Sequence, residues 1–245
     1  MEKLYTDLAE VYEAMYKTFI NYHDEYNFYN KIIKRFNATH LLEIGSGTGN
    51  LASYFIKNGV TYSGLDYSKE MISIAQKKVP NGKFIKGDMR SFHLKQPVQA
   101  IIMTGRTISY LLPNIDVKST FNTIYENLKE QGIFCFDFID ARAFIPEISK
   151  EKKVIHTAMY NGTKYCRESI WNLNLKYGMD FLWYSKYFKE VENEWIEIGK
   201  DTSIIRAFSK EEIEIFLTIT GFEIKDIIKK ESYAFPTYVV IAQKP

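Results

Sequence analysis

The sequence predicts a doubly wound α/β fold, a mostly parallel seven-stranded sheet with an antiparallel β meander inserted near its end. Three observations carry that prediction. From residue 41, short apolar runs alternate with amphipathic stretches; the first run leads into three alternate glycines; and after residue 150 the alternation gives way to four long aromatic-rich segments separated by turn residues. Strands alternating with helices build a parallel sheet covered on both faces, whereas consecutive strands joined by tight turns pair antiparallel.

The elements follow in order. Leu4, Leu8, Val11, Met15 and Phe19 recur three or four apart, so the first forty residues read as an amphipathic helical lead-in. The alternating region reads as strand 41–45, helix 50–58, strand 60–65, helix 68–78, strand 83–86, strand 98–104, helix 116–130 and strand 132–139. Pro80, Pro97 and Pro113 fall where these elements stop or begin. The aromatic segments 154–160, 163–175, 179–190 and 194–206 are separated by Asn161-Gly162, Tyr177-Gly178 and Glu192-Asn193. A helix from Ser209 to about Thr220, closed by Gly221, returns the chain to strands 222–230 and 237–243. The meander at 151–206 is therefore an insertion in an α/β unit made of 1–150 and 207–245.

Composition narrows the function classes. At 245 residues, with a formal net charge of +2, the chain suits one α/β domain and offers no long basic run for nucleic acid. The short clusters Lys150–Lys153 and Lys229-Lys230 read as solvated turns. No apolar run approaches the roughly 20 residues that span a bilayer, and the N-terminus lacks a signal core, so a cytoplasmic protein without membrane contact is expected. Cys135 and Cys166 sit in apolar runs and read as reduced, packed thiols; the four histidines have no metal-ligand spacing, so no metal is expected. Eighteen tyrosines and 17 phenylalanines exceed what a core needs and could also line a pocket.

Residues 41–50, Leu-Leu-Glu-Ile-Gly-Ser-Gly-Thr-Gly-Asn, carry the chemistry. Gly45, Gly47 and Gly49 remove the Cβ atoms that would hold a ligand off the main chain and permit a positive-φ turn between strand and helix. A dinucleotide site places a third glycine or alanine where this chain has Asn50, which weakens an NAD reading. Asp66 ends the second strand, placed to accept two hydrogen bonds from a ribose diol. Tyr67 and Met71 flank it; either could lie on an adenine face, although Met71 keeps helical spacing with Ile74 and Ala75 and could equally be core. Gly87-Asp88-Met89 ends the third strand, and the fourth opens at Thr104 into Gly105-Arg106-Thr107-Ile108-Ser109-Tyr110. In open α/β sheets ligands bind beyond the carboxyl ends of the strands, where all of these lie.

The order Glu-x-Gly-x-Gly-x-Gly, followed by Asp66, Gly87–Met89 and 103–110, resembles the class I S-adenosylmethionine-dependent methyltransferase superfamily, which is Rossmann-like, over roughly residues 40–140. That resemblance implies S-adenosylmethionine as cofactor and its demethylated product S-adenosylhomocysteine. Glu43 then suits a cofactor ammonium, Asp88 the adenine amine and Met89 the adenine ring through its backbone N–H, with Ser46 and Thr104 completing the set. Val11-Tyr-Glu-Ala-Met-Tyr16 is similar to the lead-in of small-molecule methyltransferases that include the amino-sugar N,N-dimethyltransferases, with Glu13 in place of their aspartate. By that likeness Tyr16 lies beside the reacting amine, and Tyr110 stands where those enzymes can carry a histidine.

Methyl transfer from a sulfonium asks the protein to align the reactants and exclude water. Tyr16, Tyr110 and Arg106 are the candidate catalytic residues, orienting a small acceptor by hydrogen bonds; Arg106 could instead bond a nearby carbonyl. Tyr165, Trp171, Phe181, Trp183 and Tyr184 of the insertion could roof the acceptor or form a homodimer face. Competing readings are a methyltransferase acting on a macromolecule, a non-catalytic cofactor-binding protein and an NAD-dependent oxidoreductase.

Overall fold

The computed structural model describes residues 9–148, 150, 153–232 and 235–245. The expectations at Leu4, Leu8, Glu151 and Lys152 fall outside these residues. The elements are α1 (Ala9–Tyr16), α2 (Tyr22–Arg35), β1 (His40–Ile44), α3 (Ala52–Lys57), β2 (Thr61–Asp66), α4 (Lys69–Lys78), β3 (Lys83–Lys86) and β4 (Val98–Met103). They continue with α5 (Asn114–Asn127), β5 (Leu128–Ile139), α6 (Ala141–Ile148), β6 (Val154–Tyr160), β7 (Thr163–Leu173), β8 (Met179–Val191), β9 (Glu194–Ala207), α7 (Lys210–Ile219), β10 (Glu223–Lys230) and β11 (Thr237–Gln243).

Seven strands form one sheet in the order β10-β11-β5-β4-β1-β2-β3. β1 to β5 run parallel, and β11 enters antiparallel between β5 and β10. Both faces are buried, so the central strands are mostly apolar, with Glu43 of β1 and Asp137 of β5 as buried exceptions, and alternate residues go to opposite layers. Along β5, Phe134, Phe136 and Phe138 pack with Phe121 of α5 and Leu217 of α7, while Ile133 and Cys135 pack with Ile33 of α2 and Phe55 of α3. Phe121 meets Phe134 and Phe136 edge-on at centroid distances of 5.4 Å. Each such ring contributes about 1.5–3 kcal/mol by burial, and the stack absorbs much of the aromatic surplus.

The four inserted strands form a second, antiparallel sheet in the order β6-β7-β8-β9. Arg206 ties its last strand to the α/β unit. Its guanidinium donates to the Leu112 carbonyl at 2.6 Å and to Glu212 Oε1 at 2.9 Å, and lies over the Phe208 ring. Glu212 also closes a capping box with Ser209 at the start of α7.

Four local expectations change. The lead-in is two helices, because Asn21 caps α2 by accepting from the His23 and Asp24 amides. The helix expected at 50–58 begins only at Ala52, leaving Asn50 in the loop. α5 ends at Asn127 rather than 130, since Leu128 is extended and pairs with Val98. The sequence pattern assigns no element to 141–148, yet α6 forms there, with Asp140 accepting from the Arg142 amide and Pro146 confined to the last turn. Its Phe144 and Ile148 cover the inner face of the inserted sheet.

Candidate active site

The strand ends open onto a cleft of about 870 Å³. Its first wall is the turn after β1. The amides of Gly45 and Ser46 donate to the Leu65 carbonyl at 2.8 and 3.1 Å, which binds the turn to the end of β2. Asp66 then accepts from the Gly47 amide on Oδ2 and from the Ser68 amide on Oδ1, each at 2.8 Å. One carboxylate thus holds both the glycine turn and the start of α4, and its remaining lone pairs are available to a diol. At Gly47, with φ +52°, a Cβ would meet no atom within 4 Å; it would project into open space where a ligand needs bare backbone. That cradle and the diol-ready carboxylate fit an S-adenosyl cofactor.

Glu43 is buried on β1 and accepts the Tyr62 phenol at 2.5 Å. Burial pushes its carboxyl up to about 8, with the nearby Asp66 adding to the rise and the Tyr62 and Thr104 hydroxyls opposing it. Between its ordinary 4.5 and about 8 the folded protein therefore holds a proton that the unfolded chain has released. The stability this contributes is full below about pH 4.5 and is lost as the pH rises through 8. We expect Glu43→Gln to flatten the fall in melting temperature across that window; equal slopes for wild type and variant, in cofactor-free protein, would refute the assignment.

The adenine-side candidates converge on the same cleft. Gly87, Asp88, Met89, Met71, Tyr67, Ser46 and Thr104 lie with Asp66 along its wall, whereas Gly49 faces the interior, where a Cβ would come 3.0 Å from the Phe84 ring and 3.2 Å from Ala75. Met71 is fully packed, whereas Tyr67 is 60% exposed and free to lie over a planar ligand. Asp88 is engaged by Arg90, whose Nε and Nη2 donate to its two oxygens at 3.0 and 2.7 Å and whose Nη1 reaches Asp116 at 2.8 Å. Hydrogen bonds from Arg90 hold the Asp88 carboxyl below its ordinary range against a smaller effect of burial.

The other end of the cleft is built by residues far apart in the chain. Asp137, on β5, accepts from the Arg106 amide at 2.7 Å and the Gly105 amide at 3.2 Å. It fixes a left-handed turn there, with φ +66° at Gly105 and +62° at Arg106. The Arg106 guanidinium is buried, donates to Ser232 Oγ at 2.6 Å and sits 5.4 Å from the Phe235 ring centroid. Tyr16 is 8% exposed and Tyr110 36% exposed, and both line the cleft. The Tyr16 ring is held between Phe19, at 4.9 Å, and the Arg167 guanidinium, at 5.5 Å.

One expectation is corrected here. Lys230 is no solvated turn; it lies on β10, bridges both oxygens of Glu25 at 2.6 and 2.5 Å and covers the Phe28 and Tyr29 rings. Of the five aromatic residues expected as a roof, Trp183 lines the cleft, while Phe181 and Trp171 pack against Phe144, Tyr165 packs on α1, and Tyr184 points to the opposite face from Trp183. Sequence reasoning missed Asp137, Glu25, Ser232 and Phe235. Only Asp137 had a signal, as the lone charge in the apolar run Ile133–Ile139.

The parallel sheet with its β11 hairpin and the strand-end cleft define the class I S-adenosylmethionine-dependent methyltransferase fold. Residues 41–132 match the family model described as a methyltransferase domain. Among relatives, the dTDP-3-amino-3,4,6-trideoxy-α-D-glucopyranose N,N-dimethyltransferase of Streptomyces venezuelae is 28% identical over 96 residues, covering 39% of this chain and 40% of that protein. The chain spans about half the length of the curated relatives it matches. Among solved structures, the amino pentose methyltransferase CalS10 from Micromonospora echinaspora superposes with a TM-score of 0.78 at 19% identity, covering 96% of this chain and 97% of that one. An S-adenosylmethionine-dependent methyltransferase from Clostridium acetobutylicum ATCC 824 gives a TM-score of 0.76 at 18% identity and 98% coverage of both chains. The inserted sheet therefore belongs to a shared architecture.

Proposed function

We propose that the protein is an S-adenosylmethionine-dependent methyltransferase acting on an amine of a small polar molecule, with a sugar-like amine as the first candidate. The observation that carries the reading is the single cleft joining the glycine turn and Asp66 to Tyr16, Arg106 and Trp183. The cofactor, when bound, supplies an electrophilic methyl group on a sulfonium that is also the leaving group. Glu43, Asp66, Asp88 and the backbone at 45–49 would hold it.

The chain's own contribution is alignment and exclusion of water. Tyr16 and Tyr110 orient the acceptor, and Asp137 keeps the 105–106 turn rigid behind them. The carboxylates around the cleft favour an amine over a hydroxyl. Asp66 and Asp137 accept from backbone amides, Asp88 and Asp116 from Arg90, and Glu25 from Lys230. A carboxylate so committed is a poor general base, and an amine needs only to be neutral when it attacks. The N,N-dimethyltransferase and amino pentose methyltransferase similarities agree with that choice.

Mass spectrometry of the purified protein for S-adenosylmethionine or S-adenosylhomocysteine, followed by turnover on matched amines and alcohols, tests the reading. Cofactor retention with amine turnover supports it; no cofactor binding, or binding without turnover on any acceptor, overturns it. Tyr16→Phe is expected to lower kcat about tenfold or more, and Tyr110→Phe, with a more exposed hydroxyl, less. Unchanged turnover in both would remove the tyrosines from the mechanism.

A further inference from the structure

Glu13, which stands in place of the lead-in aspartate, and Asn50, which stands where a dinucleotide site has its third glycine, meet on one side chain in the folded protein. Lys78, the last residue of α4, places Nζ 2.5 Å from Glu13 Oε1 on α1 and also donates to Asn50 Oδ1. Asn50 Nδ2 in turn donates to Thr48 Oγ1 at 3.0 Å, and Thr48 and Asn50 both line the cofactor end of the cleft. Lys17 pairs with the same Glu13 oxygen at 2.7 Å from within the lead-in, without reaching the loop.

What this bridge holds is thin. Phe19, Ile20, Asn21 and Tyr22 border the main cleft and also a second cavity of about 600 Å³ on their other side, which Lys78 and Asn50 border too. Phe19 and Ile20 pack against Met15 and Tyr16, with Phe19 also 4.7 Å from the His156 ring, and Tyr22 packs against the cluster of Phe55 and Tyr62, so polar anchors add to that packing. One such anchor is the Asn21 cap of α2, and another is the Lys78 bridge to α1. Glu13 is largely covered, with 13% of its side chain exposed, so the pair is shielded more than an ordinary surface ion pair.

We propose that Lys78 is a positioning residue that clamps the lead-in helix to the glycine loop, setting Tyr16 over the cleft and prolonging the residence of a bound S-adenosyl cofactor. The proposal rests on the cofactor reading above for its second half only. It gives both residues a role: the Glu13 carboxylate reaches the ammonium from α1, and Asn50 supplies the carbonyl that receives it from the loop.

The test uses the full chain and S-adenosylhomocysteine as the probe. Lys78→Met and Glu13→Gln are each expected to raise the probe's dissociation rate about five- to tenfold, with the double variant no faster than either single one. Amide exchange across residues 9–20 of the protein without cofactor should accelerate in the same variants, while Lys17→Met leaves both readouts near wild type. Melting temperatures within about 3 °C of wild type identify folded variants, and Lys78→Arg should restore slow exchange if Lys78→Met is too unstable to measure. Wild-type dissociation and exchange in Lys78→Met, or equal effects from Lys17→Met, would overturn the clamp. Failure of the wild type to bind S-adenosylhomocysteine would instead sink the cofactor reading, and exchange without cofactor would still judge the clamp.

Discussion

Asp66→Ala is expected to weaken binding of S-adenosylmethionine or S-adenosylhomocysteine about a hundredfold. The carboxylate accepts the Gly47 and Ser68 amides, so its removal loosens the glycine turn and the start of α4 together, besides deleting the acceptor for the ribose diol. Hydrogen bonds to a charged acceptor contribute about 1.5–3 kcal/mol each, and about 2.8 kcal/mol corresponds to that hundredfold. Asp66→Asn keeps one carbonyl acceptor and should lose about tenfold. Calorimetric titration checks both, and an alanine variant that binds like wild type would show that the carboxylate serves the fold alone.

Gly45→Ala should lower stability by about 2–4 kcal/mol, combining a left-handed backbone penalty of about 1–2 kcal/mol with overpacking. At φ +72° the added Cβ would lie 2.4 Å from Thr107 Oγ1 and 2.8 Å from its Cγ2. These two atoms supply a specific check. Thr107→Ala removes both, so the double variant Gly45→Ala/Thr107→Ala should be more stable than the sum of the single losses implies, by about 1 kcal/mol or more in denaturant melts. Strict additivity would mean that backbone conformation, and not the meeting of the β1 and β4 turns, accounts for the glycine. Gly47 makes the contrast: nothing lies near its missing Cβ, so a substitution there should affect ligand binding more than packing.

The two ends of the cleft differed in how far sequence could reach them. The cofactor end was legible because its chemistry is local. Three glycines and Glu43 within one turn, Asp66 at the end of the next strand, and Gly87–Met89 after the third are each set by short spacing and by the rule that such sheets bind ligands at their strand ends. The strand periodicity likewise marked all of the inserted sheet's strands, since alternating aromatics and turn pairs act within a few residues.

The other end was legible only in part: Tyr16, Arg106 and Tyr110 line the cleft as the sequence suggested, but their partners are chosen across the fold. Glu25 and Lys230 are 205 positions apart, and Arg106 and Ser232 are 126 apart, so no local pattern links them. Lys229-Lys230 reads as a solvated pair until β10 turns Lys230 inward onto α2. Glu13 and Asn50 look like isolated departures until α4 carries Lys78 between them.

By itself, then, the sequence determined a doubly wound α/β fold, the place of its glycine turn and the inserted sheet, because backbone propensity, strand period and glycine spacing act over a few residues. Only the tertiary structure decided which aromatic side chain of the insertion lines the cleft, which charges are already committed, and how the lead-in helix is fastened beside it. Those depend on which distant surfaces pack together, and packing selects partners by shape and charge in space rather than by spacing along the chain.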